Sequence, residues 1–312
     1  MPPVLTYPET TIIGATDIYR MATFLSVFGA QPERIPNLSA EAASALYGID
    51  FELEQLILHE PNGTEKIRLV ATPNPAPEFQ PLVAGPYGID YYSSDLELSL
   101  GMLRAAGVDS FSPLVGYAGE PSIHGENTSG EQTHELLLFG PDHLAIFLTD
   151  TRITSQPWPT KLVSEPHRLH SEVLMHVWVI EDREGERRFW IDEAGLEIIH
   201  DGFPESEEMR KLMYHPRSTP MHGYNITDAG HHHKIELLSY PEEQVTRRPS
   251  LPLLAGFHAG GFYVDDIEAT MAALPSATFG AVVKADEGNG ARRVTSGASP
   301  DGVRFELWER QS

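Results

Sequence analysis

Two glutamates stand in runs whose alternation makes them β-strands, each between large apolar neighbours. In Val303-Arg-Phe-Glu-Leu-Trp308 one face collects Val303, Phe305 and Leu307, and the other collects Arg304, Glu306 and Trp308. Ile235-Glu236-Leu237 repeats the arrangement. The chain has 14 His and no Cys, so thiolate nucleophiles, disulfides and soft metal sites are excluded. Imidazole nitrogen and carboxylate oxygen are the metal donors that remain. His176 lies among Met175, Val177 and Trp178, where it reads either as a ligand or as a core histidine bonded to a carbonyl. The two glutamates read either as ligands or as edge-strand charges facing water. His231, His232 and His233 precede a strand in which His232, Lys234 and Glu236 share a face. That makes His232 a candidate proton carrier and leaves the other two as solvated loop residues.

The elements that must position these residues repeat along the chain. Between 251 and 310 the sequence spells one βαβββ unit. Gly256-Phe-His-Ala-Gly-Gly-Phe-Tyr-Val264 is an apolar strand, and Asp265 or Asp266 caps the helix that follows. Ile267, Met271 and Leu274 form the helix's apolar stripe, and Pro275 ends it. Strands over 279–283, 291–296 and 303–308 follow, the last two joined by Ser299-Pro-Asp-Gly302. The same order recurs from Glu172: a strand to Ile180, an amphipathic helix over 181–193 with Gly195 just past its end, and strands over 221–226 and 233–238. Weaker copies begin at Thr11 and Gly88. Four copies are too few and too large for a solenoid, so they are expected to pair. The proline-bearing stretch 151–171 is the expected linker between halves.

Composition fits a soluble cytoplasmic chain. A hydrophobic content of 41% supports two ordinary cores, and 22 Lys and Arg against 45 Asp and Glu give a formal charge of −23. That balance argues against nucleic acid or an anionic membrane as partner. No run is long enough to span a bilayer, and the Met1-Pro-Pro start lacks a signal pattern.

The phrases DREGERRFWIDEAGLEIIHDG and SPDGVRFELWER, with the fourfold repeat, resemble the vicinal oxygen chelate superfamily of glyoxalases, extradiol dioxygenases and resistance proteins. The resemblance implies an α+β fold of four βαβββ modules forming two paired-module domains, with curved mixed sheets around a cleft. The expected boundaries are 1–153 for an N-terminal domain whose metal site is lost, 154–170 for the linker, and 171–312 for a C-terminal domain that keeps the site. It further implies a divalent ion (Zn, Ni, Co, Mn or Fe) on the first and last strands of modules three and four. The matching ligands are His176, Glu236, His258 and Glu306, with a bulge at Gly260-Gly261 bringing His258 into place. The corresponding first-half positions hold Thr10 or Thr11, Arg68, Gly88 and Phe147.

The implied function is a metal-dependent glyoxalase-like isomerase or lyase. It would transfer a proton next to a carbonyl of a small substrate, with Glu236, Glu306 and His232 as catalytic residues. An extradiol Fe(II) dioxygenase using His176, His258 and Glu306 is the first alternative, and a ligand-binding resistance protein the second. Against the dioxygenase, Ser296 and Asn289-Gly290 stand where that group carries its Tyr and His. A homodimer is allowed. The loops 110–133 and 203–219 match no specificity motif. A glutathione adduct would require a cationic clamp, for which Arg187, Arg188, Arg292, Arg293 and Arg304 are candidates.

Overall fold

The structure is a computed structural model and describes residues 3–311, except 61–64, 110, 119–131, 151–159, 166, 203–206, 216–219, 229, 231–233, 242, 244, 248, 250 and 289. All four βαβββ modules are present. Their first strands are Thr10–Ala15, Val83–Ser93, His170–Ile180 and Gly256–Val264, and their last strands are Lys66–Ala71, Ala145–Asp150, Lys234–Ser239 and Arg304–Glu309. One device starts every module's helix. Asp17, Asp95, Asp182 and Asp266 each follow the first strand and accept a hydrogen bond from a backbone N–H of the first helical turn. In module three the expected single helix is an α-turn over Arg183–Arg187 that widens into a π-turn over Arg188–Glu193. Gly195 follows with φ +80°, as a residue past a helix end should.

The modules pair, but not in chain order. Thr10–Ala15 lies antiparallel against Gly256–Val264, joining modules one and four, and Val83–Ser93 lies antiparallel against His170–Ile180, joining two and three. Each union is a nine-stranded mixed sheet. The boundaries 1–153 and 171–312 therefore do not enclose two self-contained halves. The repeat identifies the units, and it carries no information about which open edge meets which, because every first strand can accept the same antiparallel neighbour. The sheets share one apolar layer to which all modules contribute, including Phe28, Tyr91, Trp178, Trp190, Phe257 and Phe305. The other face of each sheet is concave, and these two concave faces are the clefts. No described helix is long and apolar enough to cross a membrane.

Candidate active cleft

The four expected ligands are not brought together. Alternation in Arg304–Glu309 sends Phe305 and Leu307 into the shared core and Glu306 onto the concave face of the module one and four sheet. There Glu306 Oε1 accepts from the Tyr47 hydroxyl at 2.6 Å, and Oε2 accepts from Trp308 Nε1 at 2.8 Å and Arg68 Nη1 at 3.3 Å. Arg68 also donates twice to Gln55 Oε1, at 2.9 and 2.7 Å, and its guanidinium lies 4.8 Å from the Trp308 ring centre. The helix Ala40–Tyr47 fills the rest of this cleft, packing Ala43, Leu46 and Tyr47 against Ile12, Val70 and Trp308. A cation at Glu306 would face a buried guanidinium, so this cleft does not fit a metal.

His258 reaches the same concave face through a bulge, but the bulge is at His258 itself. Ile12 pairs with Ala259 and Ile13 with Phe257, which leaves His258 as the extra residue rather than Gly260 or Gly261. Its ring meets Tyr47 edge-on, and burial, reinforced by Arg304, pushes its pKa down to about 3. His176 points the other way. It stands on the core face, 2.8 Å from Thr11 Oγ1 and with its ring 4.8 Å from that of Phe257. The residue paired with Glu236 is Val177, and a shift of one residue along a strand changes the face. His232 lies outside the described residues.

Glu236 stands in the second cleft, between modules two and three. It pairs with Asn225 on the neighbouring strand, whose flanking Tyr224 and Ile226 enter the core, so Asn225 and Glu236 share the concave face. Asp90 on module two's first strand and Glu135 on its third strand approach from the other side, both buried. The Thr149 hydroxyl lies 3.2 Å from Asp90 Oδ1 and 3.3 Å from Glu135 Oε1. Burial, then the charge of Glu135, raise the Glu236 pKa to about 8. The Tyr92 phenol is buried and feels Asp90, Glu135 and Glu236. Tyr87, Phe147, Val177, Val179 and Tyr240 form the apolar floor.

Asp90, Glu135, Thr149 and Asn225 escaped the sequence reading. Asp90 carried a usable signal, the mid-strand carboxylate between Ile89 and Tyr91 that singled out Glu306. Asp90 and Glu135, tied through Thr149, are hard oxygen donors that suit Mg, Mn or Ca, unlike the expected set of two His and two Glu. Among the described residues, three His, Asp or Glu donors lie at mutual ion-binding spacing only in Asp266, Glu268 and Glu309. That surface group is already engaged, since Glu268 and Glu309 bind Arg293.

No protein-family model matches the sequence, and no curated protein matches it. The structure is similar to glyoxalase I from Zea mays, with a TM-score of 0.62 at 11% identity over 97% of this chain and 92% of that one. It is also similar to a "putative dioxygenase" from Bacillus subtilis subsp. subtilis str. 168, with a TM-score of 0.61 at 10% identity over 99% of this chain and 86% of that one. At such identities the likeness is one of fold. It runs through all four modules, and the fold is the glyoxalase-like one of those neighbours.

Proposed function

We propose that this chain is a glyoxalase-like enzyme that moves a proton on a carbon next to a carbonyl of a small oxygenated substrate, in the cleft between modules two and three. The observation that carries it is Glu236. It is a half-buried carboxyl on the concave face, raised to about 8 by burial and then by the charge of Glu135. A general acid–base group works best when its pKa lies near the working pH, because both protonation states are then accessible. Glu236 can take the proton from the carbon next to the carbonyl and, once the enediol has formed, return it to the former carbonyl carbon, while the Asn225 amide beside it restricts where the carboxyl sits. The Thr149 hydroxyl and Tyr92 phenol are neutral groups on the same face that can orient substrate oxygens. A dication held by Asp90 and Glu135 would supply polarisation of the carbonyl.

The test is proton exchange. A panel of 2-oxoaldehydes and their thiol adducts is incubated in D2O with enzyme and Mn2+, and deuterium next to the carbonyl is followed by NMR. Glu236→Gln should lose on the order of 10² to 10⁴ in rate. Full exchange by that variant would sink the proposal. Catechol-dependent O2 uptake that survives Glu236→Ala would instead establish the ring-cleaving alternative.

A further inference from the structure

We infer that His215, with Tyr240 and Asn225, forms a subsite in this cleft for a neutral hydroxyl- or amide-bearing part of the substrate; this rests on the cleft assignment above. His215 follows the helix Glu207–Leu212 and is held from both sides, its N–H donating to the Arg210 carbonyl at 2.9 Å and its carbonyl accepting from Arg210 Nη1 at 2.9 Å. The segment is tied to the cleft floor by the Tyr87 hydroxyl, which donates to the Met213 carbonyl at 3.2 Å, while Leu212 and Met213 pack among the floor residues.

The His215 side chain is only 6% exposed, yet neither ring nitrogen has a hydrogen-bond partner. Its ring centre lies 4.6 Å from that of Tyr240, which is buried and whose hydroxyl also lacks a partner. Asn225 Oδ1, beside Glu236, is a third such atom. Buried polar groups are ordinarily bonded, and a group of unbonded ones around one cleft points to a ligand that supplies the bonds. Tyr240 directly follows the strand Lys234–Ser239 that carries Glu236, shares its face by alternation, and packs with Tyr87 in the cleft floor.

The chemistry of the three groups sets the ligand class. An imidazole kept neutral by burial offers one donor and one acceptor, a phenol offers both, and an amide end offers either. Glu135 and Asp90 would repel a carboxylate or phosphate brought to the same face. The cations that could have clamped a glutathione adduct lie elsewhere. Arg187 and Arg188 are exposed on module three's helix, Arg292 and Arg293 bind Glu287 and Glu268, and Arg304 donates to the Leu46 carbonyl in the other cleft. Arg210, which touches the His215 carbonyl, is paired with Glu207, so the described part of the cleft fits a neutral hydroxycarbonyl or amide-bearing carbonyl compound.

The experiment is an NMR titration of the His215 ring in the full chain, with dihydroxyacetone, lactate and glutathione as separate probes, in wild type and Glu236→Gln. Dihydroxyacetone should shift the His215 ring signals in both proteins, Tyr240→Phe should weaken that binding about tenfold, and lactate and glutathione should leave the ring unshifted. No shift with dihydroxyacetone, or tighter binding of either anion, overturns the subsite. In the exchange assay His215→Phe should raise KM about tenfold with a smaller change in kcat. Its melting temperature should hold or rise, because two unbonded nitrogens are removed, and this separates lost binding from unfolding. Binding without exchange in the wild type counts against the proposed reaction and leaves the subsite standing.

Discussion

The two clefts are built from the same module and carry a glutamate at the same place on a last strand, yet they have opposite chemistry. Across from Glu306 stands Arg68, which reaches over two intervening strands to bind it. At the matching position across from Glu236 stands Phe147, which stacks on Tyr87 and leaves the carboxyl to face Glu135. In the first cleft a buried charge is balanced by another buried charge. In the second the same carboxyl is balanced by holding its proton. On the partner module Arg68 stands across from one carboxyl and Phe147 across from the other.

The comparison breaks most visibly if its two sides can be exchanged. Phe147→Arg gives the second cleft the first one's cation, so the Glu236 carboxyl should fall from about 8 toward the ordinary carboxylate range. Deuterium exchange should drop by about 10² or more, with the carboxyl followed by 13C NMR. The reverse loss is one of stability. Arg68→Met leaves Glu306 a buried charge with no cation, held only by the Tyr47 hydroxyl and Trp308 N–H, and should cost about 3–5 kcal/mol in urea denaturation, while Arg68→Met with Glu306→Leu should recover part of it. Recovery would show that the pair serves packing rather than chemistry.

Smaller still is the effect of one buried carboxyl on stability between pH 6.5 and 8, about 2 kcal/mol at most. Burial raises Glu60 and Glu236 to about 8 and Glu186 to about 7. Between the unfolded carboxylate range and those values the folded chain holds protons that the unfolded chain has released. Stability should therefore fall as pH rises from about 4.5 to 8, by up to about 1.4 kcal/mol per unit for each such group. His170 and His258, lowered by burial to about 4 and 3, act with the opposite sign and add stability as pH rises toward 6.5. The carboxyl effect is thus cleanest above pH 6.5. Glu60→Gln should flatten the slope there, and an unchanged slope would refute the assignment for Glu60.

What the sequence made legible was whatever repeats locally. The capping aspartates and the apolar strands recur at the same point of each unit, and the mid-strand glutamates in the third and fourth, so Glu236 and Glu306 could be placed by matching one unit on another. His176 could not, because its face depends on strand parity that an irregular pairing can reset, and bulges occur along that strand's partner edge. His258 was placed on the correct face with the wrong bulge. Arg68 was assigned to an inert half because its partner belongs to the last module, and residue spacing carries no record of a contact between the first and fourth units. Asp90 and Glu135 became a pair only once two strands had been laid side by side.

The nesting of the pairs also orders events in time. On a chain made from its N-terminus, module one is complete long before the strand Gly256–Val264 that will cover its edge, whereas modules two and three are finished one after the other. The inner sheet can close while the outer one waits with an open strand, the kind of edge on which unwanted association starts. The helix Ala40–Tyr47 gives no cover in that interval, because it is fastened to module four: the Leu253 N–H donates to the Tyr47 carbonyl, and the Tyr47 hydroxyl donates to Glu306. Ribosome-bound chains halted before residue 251 should therefore show protected amides in the Val83–Ser93 and His170–Ile180 pair and exchanging ones along Thr10–Ala15. The side chains that close the first cleft to substrate are, on this view, the last to settle, and the unfinished protein is most prone to stick to its neighbours just before they do.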